Sequence, residues 1–184
     1  MKTSITIRIM IFFDAALVLL TALFFVLQRI FGGGWLLSIY VTLLTITYHF
    51  VMRILVGQTV TVRYRSRAFD LDSPGFRLHR WEPELYRILH VKAWKGRMLT
   101  ARPEQFDLRA CTPEEILHNI AQAELVHRII MPLSFVPLLL IIPYGAAPVF
   151  VITSVAACLI DLPFVMIQRY NRPRVEKMVK KRKT

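Results

Sequence analysis

Glu124 and His127, in the string Glu124-Leu-Val-His127, are the residues best placed to do chemistry together. Three positions apart on a helix, their side chains share a face. A carboxylate accepting from one imidazole nitrogen would orient the ring and raise its basicity, leaving the other nitrogen to take a proton from a hydroxyl. That chemistry suits transfer of an acyl group to an alcohol on a lipid headgroup. The spacing equally admits a plainer arrangement, with Glu124 paired to Arg128 four residues on and His127 seated among headgroups. A metal fits less well, because the Glu-x-x-His string is read as a single copy and the dimetal pattern needs more carboxylates.

The string Gln168-Arg-Tyr-Asn-Arg-Pro-Arg174 is the second candidate. Guanidinium groups grip phosphate in a fork that lysine cannot copy, so Arg169, Asn171, Arg172 and Arg174 are candidates for binding a donor or headgroup phosphate. Pro173 is expected to stop the helix there, and a generic basic membrane flank would also account for the charge. The Lys177–Lys183 run that follows reads as a solvated tail or one that binds anionic lipid. A third group consists of ionisable residues inside apolar runs: Asp14, His49, Arg53 and Asp161. Each needs a partner or water in hydrocarbon. Asp161 lies about 12 Å along a helix from Arg169, near enough to face the same cavity as His127. For Asp14, hydrogen bonding between helices is the simpler expectation. His79 and Glu84 only loosely match the His-x4-Asp spacing of glycerolipid acyltransferases.

Nothing else asks for a cofactor or a metal. There is no Walker loop, no GxGxxG, no GxSxG elbow and no CxxC, and Cys111 and Cys158 stand far apart. With 55% hydrophobic residues and a net charge of +12, the chain is too apolar for an ordinary soluble domain or a nucleic-acid binder.

The elements that must position these residues follow from hydropathy. About 20 apolar residues cross the hydrocarbon layer. Ile9–Phe31 supplies one run, Gly32-Gly33-Gly34 breaks it, and Trp35–Val56 supplies a second. The length and the lack of a small-residue cleavage site argue against a cleaved signal peptide. A third run, Ile129–Ile142, is short but is extended by the helix before it. Thr112-Pro113-Glu114-Glu115 starts that helix, with a Thr cap and Pro at the first position. After Pro143, Gly145 and Pro148, Val149–Ile167 forms a fourth span. The expected fold is an all-α integral membrane protein with four transmembrane helices. Its expected parts are an N-terminal hairpin (1–56), a basic segment (57–128), a C-terminal hairpin (129–168) and a basic tail (169–184). Within the segment, Val60, Val62 and Tyr64 alternate with polar residues, as in a short strand or an extended exit from the bilayer. Trp81, Leu85, Ile88 and Leu89 then share a face flanked by Arg80, Arg87 and Lys92, which predicts a helix lying in the headgroup plane.

Lysine and arginine set the orientation. Residues 57–128 hold twelve, the tail holds eight, and the turn between the third and fourth spans holds none. Lys2 and Arg8 flank the start, and Arg29 alone sits beside the first turn. This places the central segment and both termini in the cytoplasm, in a multi-pass protein of the cell membrane.

From about Phe69 to Val175 the chain resembles the glycosyl-4,4'-diaponeurosporenoate acyltransferase family, enzymes that finish staphyloxanthin-type carotenoid glycolipids. The strings that carry the resemblance are Lys92-Ala-Trp94-Lys95, Ala123-Glu124-Leu125-Val-His127, and Pro163 followed by Gln168-Arg169-Tyr170-Asn171-Arg172-Pro173-Arg174. The resemblance implies transfer of a fatty acyl group to a sugar hydroxyl of a membrane glycolipid. The implied donor is a cytoplasmic thioester, acyl-CoA or acyl carrier protein. It carries over Glu124, His127, Arg169, Asn171, Arg172 and Arg174, with Trp94 and Lys95 behind them; Asp161 comes from its position alone. Two other readings stay open from the residues: a non-enzymatic protein that binds anionic lipid or a partner through its basic face, and a thioester hydrolase. The first needs positive charge but no convergence of Glu124, His127 and Asn171 on one cavity.

Overall fold

The computed structural model describes residues 5–98 and 103–183, so Lys2 lies outside the described residues. The regular elements among the described residues are helical. They are α1 (Ile5–Phe31), α2 (Gly34–Arg63), α3 (Glu82–Ile88), α4 (Val91–Trp94), α5 (Pro113–Leu133), α6 (Ile141–Tyr144) and α7 (Ala147–Lys183). Short 3-10 turns cover Lys95–Arg97, Pro103–Phe106 and Val136–Leu140. Four stretches are long and apolar enough to cross a membrane: Arg8–Phe31, Gly34–Arg63, Pro113–Tyr144 and Ala147–Arg182. Large apolar side chains such as Phe12, Leu19, Ile142, Ile152 and Leu159 stand exposed along them. Such a surface is a liability in water and is at ease against lipid. The protein is an all-α integral membrane protein, as the hydropathy predicts.

The chain divides into two compact units, residues 1–57 with 129–160 and residues 58–128 with 161–184. In the first, Gly32 and Gly33 adopt φ of +65° and +89°, a left-handed path open to glycine that turns α1 back into α2. The two helices are joined by a Thr21–Thr47 hydroxyl bond of 2.7 Å and an edge-on Phe13–Phe50 contact. Tyr40, Val41 and Phe150 form the core, with Leu138, Ile141 and Tyr144 packed on it. Asp14 is buried, and its Oδ2 has no hydrogen-bond partner, so the expected bond between helices is not formed by that oxygen. Arg53 donates to the carbonyls of His49 (2.9 Å) and Ala157 (3.3 Å).

In the second unit, Thr112 and Glu115 close the expected capping box. The Glu115 carboxylate accepts from the Thr112 backbone N–H at 2.8 Å, and the Thr112 hydroxyl accepts from the Glu115 N–H at 3.3 Å. On α3, Trp81, Ile88 and Leu89 are exposed while Glu82 and Tyr86 on the other side are buried. The apolar residues at the ends of α3 thus stay unburied. Two local expectations are corrected. Residues 60–63 form neither strand nor extended exit, because α2 continues to Arg63. Val60 is buried, Val62 is exposed and Thr61 bonds Gln122 at 2.9 Å, so packing overrides the alternation. Nor does Pro173 stop the fourth helix, which runs through Pro163 and Pro173 to Lys183. The arginines on both sides of Pro173 are anchored, and Arg174 donates to the Tyr170 carbonyl.

Pro137 has no N–H to offer the Leu133 carbonyl, and the Tyr48 hydroxyl donates to that carbonyl at 2.8 Å. Tyr48→Phe strands a carbonyl in apolar surroundings. It is expected to lower stability by about 1–3 kcal/mol. The check is the unfolding midpoint of the detergent-solubilised variant against the parent.

Candidate active site

Glu124, His127, Asp161, Trp94, Lys95 and the arginine string belong to the second unit, whereas Asp14, His49 and Arg53 belong to the first. At its centre Glu124 of α5 is fully buried. Its Oε1 accepts from Arg169 Nη1 at 2.7 Å and its Oε2 from Arg172 Nε at 2.9 Å, both on α7. Arg128 stands further off, with 3.7 Å between Nη1 and Oε1. Arg169 spends all five donors: Nε and Nη2 clasp both oxygens of Glu82 at 2.8 and 2.6 Å, Nη1 reaches Glu124 and the Gly75 carbonyl, and Nη2 also bonds the Arg77 carbonyl. Arg172 donates to Glu124, to Glu176 at 2.7 Å and to the Phe76 carbonyl. Burial alone would raise the Glu82 carboxyl. Arg169, the His79 backbone N–H and the Tyr86 hydroxyl outweigh it and hold the group down at about 2.

The expected Glu124–His127 partnership is therefore not formed. Both residues sit on α5, but the two buried guanidinium groups take Glu124, since a buried carboxylate needs a counter-charge more than a neutral ring does. Asp161 of α7 supplies the orienting carboxylate instead. His127 Nδ1 lies 2.8 Å from Asp161 Oδ1, with Asp161 almost wholly buried. Phe164 stacks on the imidazole at 4.7 Å between ring centres, 9° from parallel. Nε2 makes no hydrogen bond among the described residues. With Nδ1–H donating to Asp161, Nε2 carries the lone pair.

The remaining candidates gather elsewhere in the unit. Lys95 donates to Asn171 Oδ1 at 2.6 Å and lies over the Tyr170 ring, which Arg174 also covers at 3.7 Å. Trp94 Nε1 donates to the Leu89 carbonyl at 2.9 Å, fixing the turn that presents Lys95. Glu124, His127 and Asn171 thus enter three separate sets of contacts. Arg169 has no donor to spare for a phosphate, and Arg172 is almost wholly buried against Glu124 and Glu176, so neither presents the phosphate fork expected of it. The sequence reading missed Glu82, Tyr86, Phe164 and Glu176. The signal was the Arg169–Arg172 spacing itself, because two arginines on one face directly after an apolar span call for carboxylates if that face is buried. It also missed a second Glu-x-x-His string, Glu115-Ile-Leu-His118. This adds no metal site: Glu115 caps α5 and His118 lies against Phe69. Among the described residues no three His, Cys, Asp or Glu side chains gather as metal ligands.

Glu124→Gln leaves two buried guanidinium groups short of charge, an expected loss of about 3–5 kcal/mol. Arg128→Gln removes a long, half-exposed pair and an exposed hydrogen bond to the Gly75 carbonyl, and should cost about 1 kcal/mol or less. Thermal unfolding of both solubilised variants distinguishes them.

The family model described as glycosyl-4,4'-diaponeurosporenoate acyltransferase matches residues 72–181. That span holds the buried ion pairs, the His127–Asp161 pair and the Lys95–Tyr170–Arg174 group. No curated protein and no solved structure matches the chain significantly. With well over half its length inside the match and four candidate membrane-spanning helices, the chain belongs to the glycosyl-4,4'-diaponeurosporenoate acyltransferase family.

Proposed function

We propose that the protein transfers a fatty acyl group from a cytoplasmic thioester, acyl-CoA or acyl carrier protein, to a sugar hydroxyl of a membrane glycolipid. Family membership supports acyl transfer to a glycosylated carotenoid. The observation that carries the mechanism is the 2.8 Å contact of His127 Nδ1 with the buried Asp161. Asp161 fixes the tautomer and steadies the charge that develops on the ring. His127 Nε2 takes the proton of the sugar hydroxyl as its oxygen attacks the thioester carbonyl. The tetrahedral centre then collapses, the C–S bond breaks, and the imidazolium returns the proton to the departing sulfur. Glu124 serves as counter-charge to Arg169 and Arg172, and it acts on the chemistry only by holding α5 against α7.

His127→Gln removes the base and should lower turnover about 10²–10⁴-fold without loss of folded protein. Asp161→Asn keeps the size of the orienting group but favours the other tautomer, so turnover should again fall steeply while acceptor KM changes little. Acylated glycolipid measured by mass spectrometry in membranes carrying each variant checks both. Full product from a folded His127→Gln protein removes His127 from the mechanism.

The distribution of Lys and Arg supports a cytoplasmic central segment and cytoplasmic termini. A protease site placed near Pro103 should be cut from the cytoplasmic side, and one near Ala146 from the outside. Cleavage of both from one side overturns the orientation.

A further inference from the structure

We propose that Lys95 and Arg174 form an anion site around Tyr170 that receives a phosphate ester. Two segments far apart in sequence build it. Lys95 follows α4, while Tyr170, Asn171 and Arg174 lie on α7, and the Lys95–Asn171 hydrogen bond of 2.6 Å ties the two together. The Tyr170 ring carries two cations, Arg174 at 3.7 Å and Lys95 at 4.9 Å from its centre.

Charge accounting separates this cluster from its neighbours. Arg169 and Arg172, on the same helix, are matched by Glu82, Glu124 and Glu176. Among the described residues, no carboxylate lies against Lys95 or Arg174. What holds them is neutral: the Asn171 amide oxygen, the Tyr170 carbonyl and the Tyr170 π face. Burial pushes the Lys95 ammonium below its usual range, and Arg174 and Lys92 push it further, as expected where cations meet without an anion. A membrane anchor needs no such assembly, because dispersed lysines such as exposed Lys177 serve that purpose with less mutual repulsion. A phosphate monoester, with a charge of about −1.5 to −2 and three acceptor oxygens, would neutralise the group, and Arg174 would supply the forked contact.

Assigning that phosphate to an acyl donor rests on the acyl-transfer reading; the binding site itself does not. The test is equilibrium binding to the full chain in phosphatidylcholine nanodiscs, by calorimetry. One arm adds soluble adenosine 3',5'-bisphosphate, which resembles the phosphate-bearing end of coenzyme A. The other compares nanodiscs with and without phosphatidic acid, using the bisphosphate as competitor. Saturable binding of one probe is expected, with Lys95→Gln and Arg174→Gln each weakening it about tenfold or more. Arg174→Lys should weaken it several-fold although charge is kept, and Lys177→Gln should leave it within twofold.

This pattern with the bisphosphate supports a soluble donor, and the same pattern confined to phosphatidic acid supports a lipid headgroup. No saturable binding of either probe, or equal loss in Lys177→Gln and Lys95→Gln, overturns the site. An inactive protein that still shows the pattern keeps the site and removes the acyl-transfer reading; an active protein that binds neither probe does the reverse.

Discussion

A carboxylate and two guanidinium groups taken out of water must close on one another, and the second unit is organised around that constraint. Glu124 cannot remain buried without Arg169 and Arg172, and neither arginine could be buried without its carboxylates. Glu82 and Glu176 complete the set, so that the buried charges balance to near neutrality together with Arg128. Backbone carbonyls of Gly75, Phe76 and Arg77 take the leftover donors. The segment between α2 and α3, with no regular structure of its own to hold it, is thereby pinned against α7.

The same closure sets the register of α5 against α7. Glu124 meets Arg169 and Arg172, while His127, three residues later, meets Asp161, eight residues before Arg169. Position rising on one helix and falling on the other means that the two run antiparallel. A slip of one turn on either helix would break both sets of contacts together. The ion pairs therefore position the imidazole without touching it. Under the proposed mechanism, Glu124 would matter to catalysis through this register and not by orienting the ring.

How much of this was legible in the sequence depended on whether the information was local. The four spans, the Thr112 cap and the exposed apolar side of α3 follow from composition and periodicity within single segments, and each is found in the structure. Glu124, His127, Asp161 and the Gln168–Arg174 string could also be picked out, because ionisable groups stand out against apolar sequence. Their pairings could not. Helical spacing says which side chains share a face, but not what the face meets. Glu124 and His127 share a face and still turn to different partners on α7. Glu82 was hidden for the same reason, since it faces away from the apolar stripe that drew attention to α3. Pro173 shows the converse limit: a local rule ends the helix, whereas Arg172 just before it is held by Glu124 and Phe76 far away in sequence and the helix runs onward.

The arginine string is then best understood as two devices spliced into one helix. Positions 169 and 172 lie three apart, on one face, and that face is turned inward to carboxylates. Arg174 is two residues beyond Arg172, on another face, where it meets the Tyr170 ring and Lys95 but no acid. Because α7 is continuous through Pro173, the inward and outward faces keep a fixed angle to each other. Asp161 and His127 lie farther up the same helix pair. A ligand held at Arg174 would therefore be held by the element that also carries Asp161, the carboxylate paired with the proposed base His127. A rigid helix suits that role, because it fixes the distance between a phosphate grip and a proton acceptor without requiring either to be buried with the other.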